Sequence, residues 1–559
     1  MTIHSKTVGD TLVKVEDLRV TATTDSGREI EILKGVSFDV RRGEVLALIG
    51  ESGSGKTTIA LSLLAYARSG CHFSGGRVLL DGVDLIALDE NARRKLRGNT
   101  VSYVPQSAAA SFNPSKKIMD QVVEVAEIHG IMDKAAARKK AIGLFRSLSL
   151  PSPETIGDRY PHQVSGGQLQ RLAAAMALLG NPELVVFDEP TTALDVTTQI
   201  EVLKAFKAAI LDRGMTGVYV SHDLAVVAQI SDRIIVLKDG EVQEAGETEQ
   251  IVGAPAHPYT QALISAFEPV EPEAAGSRPG NSVVLEMRDV VAGYGPVNSD
   301  GRPHIVAVDG VSLTLQRGHS LGVIGESGCG KSTLLRVAAG LLPAATGACI
   351  LDSKELRPQV SARSKDELRK MQIVFQLADT ALNPAQTVGN IIGRPLTFYH
   401  GMKGEAGDKR VIELLDMVRM PAQFRHRLPR ELSGGQRQRI NLARALAAKP
   451  DVLLCDEITS ALDTVVAAKV LELLKELQRE LHLSYLFVSH DIHTVQSLCD
   501  EVVVMFGGRK LETFAAAHLH AEARHPYTKL LASSLPTLDP TWLENLQQDP
   551  ELVRKFAHA

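Results

Sequence analysis

The chain has 559 residues, more than a single hydrophobic core supports at roughly 250 to 300 residues, so one compact domain is excluded. Its 44% apolar and 23% charged residues are those of a folded globular protein, which excludes disorder as a whole. A formal net charge of −5, from 61 Lys and Arg against 66 Asp and Glu, offers no overall field for a polyanion, and nucleic acid is not expected as a partner.

No run of about 18 apolar residues occurs, and the opening MTIHSKTVGDTLVKVEDL lacks the apolar stretch of a secretory signal, so neither a membrane span nor export is expected. The five cysteines (Cys71, Cys329, Cys349, Cys455, Cys499) are scattered and odd in number, which argues against a disulfide framework and for reduced thiols.

In chain order, the apolar run Val45 to Ile49 predicts a strand that ends at Gly50, Glu51, Ser52, Gly53, Ser54, Gly55, Lys56, Thr57 and Thr58, with a helix over Thr57 to Tyr66. This is the spacing of a phosphate-binding loop. Glycines let backbone N–H groups turn inward around phosphate oxygens, Lys56 reaches the β and γ phosphates, and the Thr57 hydroxyl suits Mg²⁺. Arg93, Arg94, Lys95 and Arg97 read as a solvated basic helix face. Gln106 follows the apolar run VSYVP, where an amide can bond water, a Mg²⁺ ligand or a neighbouring loop. The pattern then turns helical, with Ile142, Phe145 and Leu148 at spacing three, and predicts an inserted helical subdomain. Ser165, Gly166, Gly167 and Gln168 open an amphipathic helix whose N–H groups form a second anion site.

A buried strand is predicted over Leu184 to Phe187, closed by Asp188 where a carboxylate can hold Mg²⁺ beside the loop. Glu189 follows, placed to polarise water for attack on a γ-phosphate. Another strand over Val218 to Val220 leads to His222, assigned to a γ-phosphate contact. The stretch Glu268 to Ser282, rich in Pro, Gly, Ala and Glu, is a short linker between a first domain over 1–267 and a second over 283–559 that carries a C-terminal extension.

The second domain repeats the first. Its loop is Gly325, Glu326, Ser327, Gly328, Cys329, Gly330, Lys331, Ser332 and Thr333, between a strand at Leu321 to Ile324 and a helix at Ser332 to Leu342. Gln376, Ser433, Gly434, Gly435, Gln436, Asp456, Glu457 and His490 return in the same order, with strands predicted over Val452 to Cys455 and Leu486 to Val488. HPYT occurs at His257 and again at His525. Alternating strands and helices around these motifs predict an α/β fold with a mostly parallel sheet in each domain.

With these motifs twice in one order, the chain resembles a tandem pair of ATP-binding cassette (ABC) ATPases, over nearly its whole length. The resemblance implies P-loop domains that bind ATP and Mg²⁺ and sandwich head to tail: ATP on Lys56 closed over by Ser433 to Gln436, ATP on Lys331 by Ser165 to Gln168. It makes Gln106 and Gln376 the Q-loop, with Mg²⁺ contacts beside Thr57, Asp188, Ser332 and Asp456. Asp195 and Asp463 become the D-loop, and His222 and His490 the switch histidine. Family members place an aromatic on adenine, a role that Tyr294 fits, whereas Ala22 stands at the matching place in the first half and Ile30 or Ile32 is the alternative cover.

SFNP at Ser111, ALNP at Ala381, YPHQVSGGQ and HPYT narrow the likeness to the peptide, opine and nickel importer branch, which includes fused chains of the Yej peptide and glutathione types. Its implied partners are two integral membrane permease subunits and an extracytoplasmic binding protein, with the chain peripheral on the cytoplasmic face of the plasma membrane. Branch members often carry an iron–sulfur cluster on four cysteines near HPYT. No cysteine follows His257 in the first tail or His525 in the second, so no cluster is expected. The competing class is a tandem-cassette translation factor on the ribosome, but the linker here is short and acidic where that class resembles a long basic one. Cys329 is a tolerated small residue of its loop, and Trp542 has no assigned place.

Overall fold

The computed structural model describes residues 10–23, 27–191, 194, 196–211, 214–267, 282–299, 301–460 and 462–556. Asp195 and all of the expected linker except Ser282 lie outside them. Two compact units divide the described chain: the first takes residues 10–267 and Pro536–Gln547, the second residues 282–535 and 548–556.

In the first unit, β1 (Thr11–Thr23), β2 (Glu29–Arg41), β4 (Cys71–Leu80) and β5 (Val83–Asp84) form an antiparallel sheet in the order β2-β1-β4-β5. A second sheet has the order β10-β9-β3-β8-β7-β6, from β3 (Val45–Gly50), β6 (Val101–Val104), β7 (Leu184–Asp188), β8 (Thr216–Val220), β9 (Arg233–Lys238) and β10 (Glu241–Glu247). It is parallel except for the β9–β10 hairpin. Every residue of β3, β7 and β8 is buried, the signature of parallel strands covered on both faces. Asp239 and Gly240, both at positive φ, make the tight turn that folds β10 back on β9.

The second unit repeats the plan. β11 (Val283–Val297), β12 (Pro303–Gln316), β14 (Thr346–Leu351) and β15 (Lys354–Glu355) form the antiparallel sheet. β13 (Ser320–Ile324), β16 (Met371–Val374), β17 (Val452–Asp456), β18 (Ser484–Val488), β19 (Glu501–Phe506) and β20 (Arg509–Ala515) form the six-stranded one, in the order β16-β17-β18-β13-β19-β20.

The parallel sheets are those predicted; the antiparallel sheets are an addition. Their strands mix buried and exposed positions irregularly and carry register shifts, so no clean alternation marks them in sequence. The inserted helices of the first unit include Ile118–His129 and Lys134–Ser147. The buried face of the latter runs through Ala137, Ala141, Leu144 and Phe145, while Ile142 is only half-buried. The basic run is also less solvated than predicted: Arg97 donates to the carbonyls of Leu64 and Ala65, and Arg93 to that of Ile86.

Within the first unit, the buried Gln229 side chain binds the late segment. Its amide donates to the carbonyls of Thr537 (2.7 Å) and Asp539 (2.9 Å), and its oxygen accepts from Leu543 N–H (2.9 Å). Lys207 Nζ adds an ion pair to Glu544 at 2.8 Å. Trp542, unplaced by sequence, opens the short helix Trp542–Asn545 in this segment.

Candidate functional site

Each phosphate loop runs from a buried strand into a helix, Lys56–Ser62 in the first unit and Lys331–Ala339 in the second. Gly50 (φ 149°) and Gly325 (φ 150°) start the loops, and a Cβ there would lie 2.0 Å from the Leu237 carbonyl oxygen or 2.2 Å from that of Met505. Only glycine lets the backbone pass so close. Lys56 Nζ donates to the carbonyls of Gly50 (2.8 Å) and Glu51 (2.9 Å), and Lys331 Nζ to those of Gly325 (2.7 Å) and Glu326 (2.8 Å). The buried ammonium is thus held inside the loop by neutral carbonyls, which fits a site made to receive phosphate oxygens. Ser54 Oγ, buried without a partner in that loop, is a further polar group on offer. Cys329 is buried, and burial pushes its thiol up, consistent with a tolerated small residue.

The residues expected at Mg²⁺ meet pairwise. Thr57 Oγ1 donates to Asp188 Oδ1 at 3.0 Å, and Ser332 Oγ to Asp456 Oδ1 at 2.8 Å. Hydroxyl and carboxylate oxygens at the mouth of the loop are the donor set a hard cation prefers, so these residues fit Mg²⁺. Burial raises both aspartates above the usual carboxylate range, against the lowering hydrogen bonds of Tyr103 and Thr57 on Asp188 and of Ser332 on Asp456.

Glu189 and Glu457 directly follow, each in the left-handed region (φ 47° and 46°) that a glutamate rarely adopts. Gln106 Nε2 donates to Glu189 Oε2 at 3.0 Å, and His222 Nδ1 lies 3.4 Å from the same oxygen. In the second unit Gln376 Nε2 reaches Glu457 Oε2 at 2.8 Å and His490 Nδ1 lies at 3.4 Å. Burial works to lower His222, but the Glu189 carboxylate outweighs it and leaves the imidazole raised. For His490 the hydrogen bond to Glu457 is the larger influence, and it too is raised. Glu457 stays below the usual range because His490 overcomes its burial.

Ser165 caps the helix Gly166–Leu178, accepting from Gln168 N–H at 3.3 Å, while Gln168 Oε1 accepts from Ser165 N–H. Ser433 and Gln436 form the same box on Gly434–Leu446. Gly167 and Gly435 lie against the next helix: a Cβ there would be 2.1 Å from Thr198 Cγ2 or 2.5 Å from Val466 Cγ1. Asp463 caps its helix by accepting from Val466 N–H. Tyr294, 41% exposed, shares a hydrogen bond with Thr333 Oγ1 at 3.2 Å, beside the second loop. Ala22 is paired across the sheet with Ile30, which is 45% exposed.

Residues 33–192 and 308–460, the segments that hold these loops and carboxylates, both match the family model described as ABC transporter. The chain belongs to the ABC transporter family. This ABC ATPase also matches, over residues 243–289 and 511–558, the model described as the C-terminal region of oligopeptide/dipeptide transporters. It is 38% identical to the peptidoglycan transport ATP-binding protein YejF of Agrobacterium fabrum, across 94% of this chain and 96% of that protein. It is 35% identical to the glutathione import ATP-binding protein GsiA of Pectobacterium atrosepticum, across 95% and 90%. The GsiA protein of Escherichia coli O157:H7 is 33% identical, across 95% and 90%.

Three features of the ABC cassettes lie outside the sequence reading. Tyr103 donates to Asp188 Oδ2 at 2.7 Å, and both burial and that carboxylate push its phenol up. Buried Gln170 donates to the Pro105 carbonyl (2.9 Å) and accepts from Ala108 N–H (3.2 Å), so the SGGQ helix grips the backbone on both sides of Gln106. In the second unit Gln438 and Asn441 both donate to the Phe375 carbonyl, on the N-terminal side of Gln376. The third is the contact of each HPYT tyrosine with a phosphate loop. A second glutamine in VSGGQLQR, two residues after the first, is the one signal that pointed to Gln170.

Proposed function

We propose that this ABC ATPase is the ATP-hydrolysing motor subunit of an importer for peptides or related small solutes. The observation that carries the reading is the double match to the oligopeptide/dipeptide C-terminal region, joined to likeness over almost the whole length to proteins named for peptidoglycan transport and glutathione import. The chain works peripherally on the cytoplasmic face of the membrane, against two permease subunits, and an extracytoplasmic binding protein delivers the solute. Among the described residues no helix is long and apolar enough to cross a membrane, in keeping with permeases being separate chains.

In this reading Lys56 and Lys331 exchange loop carbonyls for phosphate oxygens when ATP arrives. Mg²⁺, when bound, offsets the charge of the β and γ phosphates, with Thr57, Asp188, Ser332 and Asp456 as its protein partners and Gln106 and Gln376 nearby. Glu189 and Glu457 take the proton of the attacking water, and His222 and His490 hold the carboxylate until the γ-phosphate competes for the imidazole. A second helix N-terminus at Ser165 and at Ser433 supports composite sites, in which ATP on Lys56 is completed by Ser433 to Gln436 and ATP on Lys331 by Ser165 to Gln168.

Purification of the tagged full-length chain from detergent-solubilised membranes tests this. Co-purification of two permeases, and ATP hydrolysis stimulated by a peptide-loaded binding protein, are the expected results. Stable association with ribosomes and no membrane partner would overturn the proposal.

A further inference from the structure

The HPYT segments lie about two hundred residues from the phosphate loops in sequence, yet each delivers a phenol to one. Glu51 N–H donates to Tyr259 Oη at 3.1 Å, and Glu326 N–H to Tyr527 Oη at 3.0 Å. Each N–H belongs to the first peptide of its loop, whose carbonyl, on Gly50 or Gly325, accepts from the loop lysine. One peptide plane is therefore pinned on both edges, by the lysine on one side and the tyrosine on the other.

The contacts around each HPYT segment hold that phenol in place. Glu244, on β10, accepts from Ala256 N–H (2.8 Å) and His257 N–H (3.0 Å); Glu512, on β20, accepts from Arg524 N–H (3.0 Å) and His525 N–H (2.9 Å). The histidine Nδ1 then accepts from the tyrosine's own N–H at 3.2 Å, capping a helix with proline at its first position. Both rings are buried. Their surroundings differ: Lys238 Nζ sits 4.8 Å over the Tyr259 ring, whereas Tyr527 packs on Phe506 (4.5 Å) and on Phe556 of the chain's last helix (5.4 Å). A ring alone would satisfy either environment, so packing leaves the hydroxyl unexplained. Its recurrence on the same peptide in both units points to the loop.

We propose that Tyr259 and Tyr527 are positioning residues for nucleotide binding, each fixing the first peptide of its phosphate loop so that the C-terminal region sets the loop's readiness for ATP. The inference rests on the ATP-binding reading of these loops. When ATP draws the lysine away from the Gly50 or Gly325 carbonyl, the phenol still holds the opposite edge of that peptide. Without it the peptide loses one of the hydrogen bonds that fix its orientation, and ordering it when phosphate binds costs affinity.

The test uses the full-length chain with one loop silenced. In a Lys331→Ala background, Tyr259→Phe is expected to weaken ATP binding by calorimetry about fivefold, the worth of one neutral hydrogen bond, and Tyr527→Phe to do the same in a Lys56→Ala background. The ring and its packing remain, so the nucleotide-free melting temperature should fall by a few degrees at most. A purely structural tyrosine would lower melting and leave ATP affinity unmoved, and that result overturns the proposal. Should Tyr259→Phe fail to fold, Glu244→Gln, which loosens the segment while keeping the phenol, is expected to weaken ATP binding at least twofold, and unchanged affinity there overturns it equally. A Lys331→Ala parent that binds no ATP would instead defeat the ATP reading, and this proposal with it.

Discussion

Tyr103 donates its phenolic hydrogen to Asp188 Oδ2 at 2.7 Å, and Ile373 occupies the matching place in the second unit, two strand positions from Asp456 in register. Both oxygens of Asp188 are thus bonded, because Thr57 holds the other. Burial raises Asp188 and the Tyr103 bond partly restrains it, so Tyr103→Phe raises the carboxyl further. A protonated Asp188 is no ligand for Mg²⁺. The acid limb of ATP hydrolysis should therefore move to higher pH in Tyr103→Phe, as a pH–rate profile at limiting Mg²⁺ would show; an unmoved limb counts against the role.

Glu189 and Glu457 each carry a glutamine and a histidine on one oxygen, and their left-handed backbone aims the carboxylate across the strand ends. Changing both to Gln should leave ATP binding intact and lower hydrolysis by about 10² to 10⁴, the usual weight of a general base. Single-turnover measurements separate the two. Steady-state hydrolysis equal to that of the parent would remove both from the base role.

The histidine–glutamate pairs also tie stability to pH. His222 and His490 are raised from 6.5, so their contribution is complete below about that pH and is lost as pH rises through the folded values. Glu457 is lowered from 4.5, so its contribution is present above about that pH and lost as pH falls through its folded value. Nucleotide-free chain should consequently melt lower at pH 8 than at pH 6, and the His222→Gln, His490→Gln double variant should show a flatter dependence. Calorimetric melting across that interval checks the slope.

Two adjacent glycines of the first signature loop should behave differently. A Cβ on Gly167 would collide with Thr198, while nothing lies within 4 Å of one on Gly166. Gly167→Ala should destabilise the chain by about 1 to 3 kcal/mol, as overpacking does, and Gly166→Ala by less than about 0.5 kcal/mol. If composite sites form, Gly166→Ala lowers hydrolysis despite its intact fold. Denaturant unfolding alongside ATPase assays distinguishes the two effects.

Tyr294 borders the second phosphate loop, and Ala22 has no ring to offer at the first. With base stacking worth about 1 to 3 kcal/mol, ATP on Lys331 should bind some 5- to 150-fold more tightly than ATP on Lys56. Titrating ATP into Lys56→Ala and Lys331→Ala separately compares them, and equal affinities, or tighter binding on Lys56, would defeat the asymmetry and favour an apolar cover such as Ile30 or Ile32 at the first site.

Chemistry confined to a short motif was legible in the sequence. The Thr57–Asp188 and Ser332–Asp456 pairs follow from loop and strand-end signatures alone, although 131 and 124 residues separate the partners. Contacts that depend on an intervening hairpin were not. Tyr259 meets Glu51 because Glu244 on the β9–β10 hairpin anchors the segment, and nothing local to HPYT states that distance. The left-handed glutamates were equally hidden, since the residue type argues against that backbone. β1 and β2 escaped notice because their irregular burial carries no clean period.

The grip of Gln229 on residues 537–543 has a consequence for biosynthesis. A ribosome adding about 5 to 20 residues per second finishes the first unit's sheets well before it reaches Thr537, leaving a wait of roughly fifteen seconds to a minute. During that interval a buried amide with three partners in the finished protein has none of them. The first unit therefore matures late, only after most of the second half has been translated. A gene split at the linker would yield a first polypeptide that never receives its own last piece of surface.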